Sequence, residues 1–345
     1  MAVGAVAITG VSGFLGQCLL RRLTGTPGRS GIRTVVGLDV TEPAFRPREL
    51  DLHLIDVAGS ELRPLLEGVD TVVHLAGVHD AIPDTELMAR INVTGTRRVL
   101  EAAGAVGVGK FVFASSAAVY GAWPNNPIPL NEDAPLRPNP GFPLGVHKAE
   151  GERLLAEWAE SHSGAVATVL RPAYVLGPRA DHAVARLVRR RIPMAIAGAV
   201  APVQFVHEED ATEAIALAVE RDLPGPYNVA AEGWITREEV RALLGRRVQP
   251  AVSAEVAERA LRRLWPAGLT EIPPSAVPYL VHPWVVAVDR LRAAGWTPRH
   301  SNEETVLACL DRRRSPARLP LAAAGVTALA VGAGLAARAT RRRGR

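Results

Sequence analysis

Residues 8–16 read Ile-Thr-Gly-Val-Ser-Gly-Phe-Leu-Gly, and no other stretch constrains the chain as tightly. An apolar run, 3–8, leads into it, and Leu15, Leu19, Leu20 and Leu23 follow at helical spacing. The order is strand, glycine turn, helix. In a dinucleotide-binding turn each glycine has its own physical reason. Gly10 lets the chain reverse, Gly13 lets backbone approach a pyrophosphate, and Gly16 lets the helix pack on the strand. The first amides of that helix, where Phe14 and Leu15 lie, then face the diphosphate with the positive end of the dipole behind them.

The first half repeats this alternation. Apolar runs at 34–39, 52–55, 70–77 and 110–114 are separated by helical patterns, including a long one over 85–106, and a further run follows at 166–170. Short, nearly continuous apolar strands between helices imply a parallel sheet covered on both faces, an α/β doubly wound fold of Rossmann type. Asp39 ends the second run. A carboxylate there can accept both ribose hydroxyls of NAD and would repel the 2′-phosphate of NADP, although an ordinary loop aspartate is the plainer role. Asp56 and Val57 follow the third run on the same edge, where an adenine ring would lie; capping of their own loop is equally open to them.

Composition narrows the class. A chain of 345 residues can bury a sizeable core, and 48% hydrophobic against 22% charged residues reads as folded and globular. The net charge of +5 invites a nucleic-acid partner, but the arginines of 189–191, 312–314 and 341–343 are dispersed and not interleaved with aromatics, which excludes a base-stacking platform. Cys18 and Cys309 lie far apart on expected helices, which suits a reducing compartment and no disulfide. The chain enters a strand at once, without the features of a signal peptide, so a cytoplasmic protein is expected. No metal-ligand spacing is apparent.

Seven prolines between 123 and 143 break the rhythm and predict a functional loop over the sheet. Helix resumes near Gly145. Asp210 with Glu213, Thr236 with Glu239 and Ser301 with Glu304 have capping-box spacing and predict three helix starts. The expected organisation is a Rossmann core over about 1–178 plus 203–230, and a small C-terminal substrate subdomain from about 179–202 and 231–311. Residues 312–345 form a tail. Its segment 319–337 is uncharged and flanked by arginines, long enough to span a bilayer but mostly alanine and glycine, so a membrane tether and a surface helix or disordered tail are both open.

The motifs accumulate in a familiar order. They are Thr9-Gly10-x-x-Gly13-x-x-Gly16, His74-Leu75-Ala76-Gly77, Asn92-Val93-Thr94-Gly95-Thr96 and Ser115-Ser116-Ala117-Ala118-Val119-Tyr120-Gly121. Glu132-x-x-Pro135, Leu170-Arg171-Pro172-x-x-Val175-x-Gly177-Pro178, Phe205-Val206-His207-x-x-Asp210 and Tyr227-Asn228-Val229-Ala230 follow. Over roughly residues 3–311 the chain resembles the extended short-chain dehydrogenases/reductases of the NAD-dependent epimerase/dehydratase type. The resemblance implies NAD as cofactor, contacted by Gly10, Gly13, Phe14, Leu15, Gly16, Asp39, Asp56, Val57, Leu75, Ala76, Gly77, Lys148 and Pro172. It implies that Asn92 steadies the helix behind the active site and that Ser116 hydrogen-bonds the reacting oxygen, with capping of a turn as the serine's plainer role. A small-molecule substrate, such as a nucleotide sugar, and a homodimer are further expectations.

The family's central pair is a tyrosine four residues before a lysine. The phenol moves the substrate proton, while the lysine lowers its pKa and holds the nicotinamide ribose. Here the segment reads Gly141-Phe142-Pro143-Leu144-Gly145-Val146-His147-Lys148. Lys148 is present, but Leu144 stands at the tyrosine position and has no proton to give. Three readings follow: the proton comes from His147, Tyr120 or Tyr174; slow catalysis persists without it; or the chain binds NAD as a catalytically impaired sensor or scaffold. His207 reads as a structural hydrogen-bonding group. Arg186 and Arg189 to Arg191 would suit a substrate's phosphates, or a solvated basic face. The leading expectation is an NAD-dependent oxidoreductase, epimerase or dehydratase with an atypical active site.

Overall fold

The structure, a computed structural model, describes residues 4–25, 31–191, 196–245 and 251–311. Seven parallel strands form one sheet: β1 (Ala5–Thr9), β2 (Thr34–Asp39), β3 (Leu50–Leu54), β4 (Thr71–His74), β5 (Lys110–Ala114), β6 (Val166–Pro172) and, after a small excursion, β9 (Gly225–Val229). Their order is β3-β2-β1-β4-β5-β6-β9. The chain therefore winds outward from β1 in one direction, returns, and continues from β4 in the other. The reversal falls between β1 and β4, and the glycine turn leaves β1 at that crevice, where ligands of open α/β sheets bind.

Strand alternation supplies two cores. Val6 and Ile8 of β1 point to one face, with Leu19, Leu20 and Leu23 of α1 (Phe14–Thr24) and Ala214, Ile215 and Ala218 of α6 (Glu208–Glu220). Ala7 points to the other, with Val99, Leu100 and Ala103 of α3 (Gly95–Ala105) and Leu154, Leu155 and Trp158 of α4 (Pro143–Ser161). Two-residue periodicity in buried strands is why the runs are continuously apolar. The long helix expected over 85–106 is α2 (Thr85–Ala89) and α3, joined by a π turn at Arg90–Thr94.

A two-stranded parallel sheet, β7 (Tyr174–Leu176) with β8 (Phe205–His207), leads the chain out of the main sheet. It shares a third core with α5 (Ala183–Arg189), α7 (Arg237–Leu243) and α11 (Asn302–Leu310), built on Leu176, Val188, Phe205, Ile235 and Val306. α8 (Ala254–Leu264), α9 (Val277–Val281) and α10 (Asp289–Ala293) complete this part.

Capping boxes form at Thr236/Glu239 and Ser301/Glu304. The third expectation is corrected. α6 begins at Glu208 with His207 as its cap, because the Asp210 carboxylate is taken by the backbone amides of Arg299 and His300. The proline-rich stretch 123–143 runs as loop, anchored by buried asparagines: Asn139 holds Ala122 through both amide atoms, and Asn126 donates to the carbonyls of Gly121 and Pro283. Among the described residues no helix is long and apolar enough to cross a membrane, and segment 319–337 lies outside them.

Candidate active site

The glycine turn is set by backbone contact. Gly10 has φ +74°, and a Cβ on it would lie 2.7 Å from the Ala76 nitrogen. A Cβ on Gly16 would overlap the Gly10 carbonyl oxygen and reach 2.8 Å from the Val11 Cα. Gly13 caps α1 with no side-chain hydrogen bond, and no acidic residue stands in the first turn. The helix thus presents amides free of side-chain partners to a space that glycines keep open, which fits a dinucleotide's pyrophosphate. Asp39 accepts from the Ser12 amide at 2.9 Å and the Thr41 amide at 3.1 Å, one on each oxygen. It therefore braces the turn, and its remaining lone pairs leave room for ribose hydroxyls. Asp56 takes the loop-capping role, accepting from the Ala58 amide at 2.9 Å and pairing with Arg90 at 3.0 Å, while Val57 is buried.

The end of β4 is fixed by a buried relay whose proton positions follow from the partners. Thr96 donates to the Asn92 carbonyl at 2.6 Å, so it accepts from His74 Nε2 at 2.9 Å. His74 Nδ1 is then the acceptor for Thr9 Oγ1 at 2.7 Å, and Thr9 in turn accepts the Ala76 amide at 3.1 Å. Burial, with the Lys148 charge adding to it, pushes the His74 pKa down to about 3, so the ring is neutral. Leu75 is buried, and Ala76 and Gly77 are half-buried on the crevice side of this relay. Asn92 clamps the loop beyond them, accepting from the Val78 amide at 2.7 Å and donating to its carbonyl at 3.0 Å. It steadies the loop after β4 more than the helix it belongs to.

Ser116 and Lys148 both gather at the end of β5. Ser116 accepts the Ala118 amide at 3.2 Å, so the turn-capping role is filled, and its side chain remains half-buried. Lys148 is 4% exposed, donates to the Ala114 carbonyl at 2.6 Å and lies 4.9 Å above the Phe113 ring. Burial lowers its pKa to about 8, against the opposing pull of Glu152 one helical turn on. Glu152 belongs to a second buried network: it accepts from Ser115 and forms a forked pair with Arg171, at 2.6 Å on Nη2 and 3.0 Å on Nε. Arg171 also donates to the Tyr120 hydroxyl at 2.7 Å, Tyr120 to Asn228 at 2.8 Å, and the Asn228 amide to Glu132 at 2.9 Å. β5, α4, β6, β9 and the proline-rich loop are pinned together here, so most residues that carry the resemblance downstream of Ser115 do structural work. Pro172 ends β6, in register with Val229.

The NAD dependent epimerase/dehydratase family matches residues 6–230. The chain belongs to that family. It is 30% identical to a dTDP-glucose 4,6-dehydratase of Streptomyces griseus over 258 residues, 69% of this chain and 76% of that protein. It is 29% identical to the uncharacterized protein y4nG of Sinorhizobium fredii over 243 residues, 69% of this chain but only 59% of that relative's length. Its fold superposes on the Thermus thermophilus UDP-glucose 4-epimerase solved with NAD at a TM-score of 0.71, with 26% identity, covering 91% of this chain and 100% of that one.

Where the resemblance implies a tyrosine, the half-buried Leu144 is the second residue of α4, with no substitute hydroxyl beside it in the sequence. The candidates for its proton fare differently. Tyr120 is spoken for on both sides, and burial pushes its pKa up to about 12. Tyr174 packs edge-on against Trp284 and near Phe205, with its pKa likewise pushed up to about 12 by burial. Tyr120 is thus tied into the buried network, and Tyr174 is packed among aromatic rings. Tyr279, from beyond the matched region, donates to the Ala118 carbonyl at 2.9 Å beside Gly145 and is closed in. His147 turns away from Lys148, its Nδ1 3.5 Å from the Asn92 amide nitrogen, and burial lowers its pKa.

The sequence reading missed His79. It is solvent-accessible on the loop that Asn92 clamps, its Cε1 3.9 Å from where a Gly77 Cβ would stand. Yet the protein around the ring pushes its pKa down to about 3, with the Lys148 charge adding to this and Asp80 opposing it, so the imidazole is neutral and can only accept a proton. Its sequence signal was a histidine two residues past the His-Leu-Ala-Gly motif. The arginines expected to meet phosphates are engaged elsewhere. Arg186 pairs with Asp80 and Glu271, Arg190 with Glu271, and Arg189 donates to the carbonyls of Cys309 and Gly177.

Proposed function

We propose that the chain catalyses an NAD-dependent oxidation–reduction on a nucleotide sugar, of the epimerase or dehydratase kind, with an imidazole in place of the family tyrosine. The observation that carries this reading is Lys148, buried at the end of β5 despite the cost of holding an ammonium there, in a fold whose glycine turn leaves the first amides of α1 without a side-chain cap. Gly10, Gly13, Gly16, Phe14 and Leu15 would seat the pyrophosphate, Asp39 the adenosine ribose, Asp56 and Val57 the adenine edge, and Leu75, Ala76, Gly77 and Pro172 the remainder. NAD, when bound, supplies the hydride acceptor. Lys148 holds the ribose, Ser116 hydrogen-bonds the reacting oxygen, and His79 takes or returns its proton. The sugar would lie against the segments 179–202 and 231–311. The substrate class is supported by the relatives' names, a dTDP-glucose dehydratase and a UDP-glucose epimerase.

The test is turnover of full-length protein with NAD and a panel of UDP- and dTDP-sugars. Wild type is expected to interconvert or dehydrate at least one of them. His79→Asn should lower turnover by about 10²–10⁴-fold with NAD affinity unchanged. Turnover equal to wild type in that variant removes His79 from the mechanism. Absence of turnover across the panel, with NAD bound, favours the sensor or scaffold reading, for which Leu144 is the specific support.

A further inference from the structure

We infer that His207, Glu209 and His300 form a binding site for a divalent transition-metal ion, separate from the cofactor crevice. One ligating atom from each of the three lies within 4.8 Å of the others. They come together from the junction of β8 with α6 and from the loop ahead of α11, residues far apart in the chain, which is why ligand spacing in the sequence gave no sign of them. The two imidazole rings stack with centroids 3.8 Å apart, and His300 Nε2 stands 3.8 Å from a Glu209 carboxylate oxygen.

The surroundings suit a dication. Asp210, almost fully buried, contacts His300 Nδ1 at 3.0 Å while accepting the backbone amides of Arg299 and His300, and His207 Nδ1 accepts the Glu209 amide at 3.3 Å as the cap of α6, so each histidine has only Nε2 left for a ligand. A carboxylate behind a histidine in this way fixes ring orientation and raises its basicity toward metal. Trp296 donates to the Asp210 carbonyl at 3.1 Å and so steadies the residue whose carboxylate holds His300. Arg179, whose charge acts on His207, is matched by Glu208 at 2.6 Å. Glu209 and Asp210 then stand to balance a charge of 2+.

Two imidazoles and one carboxylate are donors for zinc, cobalt or nickel more than for calcium or magnesium, with a fourth position for water. Closing the set to metal–ligand distances of about 2.0–2.2 Å needs the two stacked rings to swing apart so that their in-plane lone pairs converge, as well as a shift of the Glu209 side chain, which is 60% exposed. An ion there would clasp the start of α6 to the loop that leads into α11, a clasp and not a catalytic centre.

The test uses full-length protein stripped with a chelator and titrated with Zn²⁺ by calorimetry and with Co²⁺ by visible absorption. One equivalent of tight binding is expected, with a four-coordinate cobalt spectrum and a rise in Tm of about 5 °C when free metal exceeds Kd 100-fold. Glu209→Gln and His300→Ala should each weaken binding by at least about tenfold while leaving NAD affinity unchanged. Should His300→Ala fold poorly, the exposed Glu209→Gln decides alone. Absence of binding up to millimolar metal, unchanged affinity in Glu209→Gln, or an anomalous zinc peak at other residues in a crystal would overturn the assignment.

Discussion

Two regions at the same edge of the sheet have kept the family pattern to very different degrees. The glycine turn after β1 is complete, and each defining position is held by backbone: Gly10 against Ala76, Gly16 against Gly10 and Val11. The first half of α4 keeps its lysine and its buried Glu152–Arg171 pair, yet it carries Leu144 where the resemblance implies a phenol. Backbone-on-backbone contact tolerates no added atom, whereas a half-buried side chain near the start of a helix can be exchanged with the fold intact. The glycine turn is therefore held by backbone contact, and the proton chemistry rests on exchangeable side chains.

The largest effect should come from putting the phenol back. Position 144 lies one helical turn before Lys148, so Leu144→Tyr places the two on one face of α4. In a His79→Asn background this change is expected to raise turnover by about 10²–10⁴-fold. A double variant as inactive as His79→Asn alone would mean that α4 no longer presents position 144 to the reacting atoms. The contrast between the two regions would then be one of architecture as well as of side chain.

The reverse experiment strains the glycine turn. Gly16→Ala forces the new methyl into the Gly10 carbonyl and Val11, an overpacking that costs about 1–3 kcal/mol, so NAD affinity should fall by about 10–100-fold and Tm should drop. Gly109→Ala, where the nearest atom to a Cβ is 3.8 Å away, is the matched control and should change neither. Equal behaviour of the two variants in a calorimetric titration would remove the steric argument for the turn.

How much of this was legible in the sequence follows the same division. The sheet, its reversal beside β1 and the turn could be read because glycine spacing and apolar runs report backbone geometry directly. Capping boxes at Thr236 and Ser301 were legible for that reason, and Asp210 misled because its carboxylate is claimed by amides 89 and 90 residues away. Tyr120 illustrates what periodicity cannot show: only the structure places Arg171 and Asn228 on its hydroxyl and so ties it into the buried network. His79 and the His207–His300 pair were missed because what matters about them is their neighbours, supplied by distant segments. Arg186 and Arg189 were open to a phosphate role or a solvated basic face, and the acidic groups and carbonyls that occupy them come only from distant segments.

The smallest predicted effect concerns Lys148 and separates its two costs. In the folded chain its pKa is about 8, against 10.5 for the unperturbed group, because burial disfavours the ammonium. Between those values the unfolded chain binds the proton and the folded chain does not, so stability of the cofactor-free protein rises with pH across the window. Below about pH 8 both states are protonated and the full penalty stands, at most about 3 kcal/mol at 1.36 kcal/mol per pKa unit. Tyr120 opposes the trend, since its pKa is raised to about 12 in the folded chain and stability falls as pH climbs past 10. Cys18, raised to about 11 by burial, acts the same way from about pH 9. The difference between wild type and Lys148→Met isolates the lysine, because the other two contributions are common to both. Denaturant titrations at pH 7.5, 9 and 10.5 should show the variant more stable than wild type at the lowest pH and the gap closing as pH rises. A gap that stays constant would mean the ammonium is not paying a burial cost in the folded chain, and that Lys148 is held by the Ala114 carbonyl tightly enough to offset it.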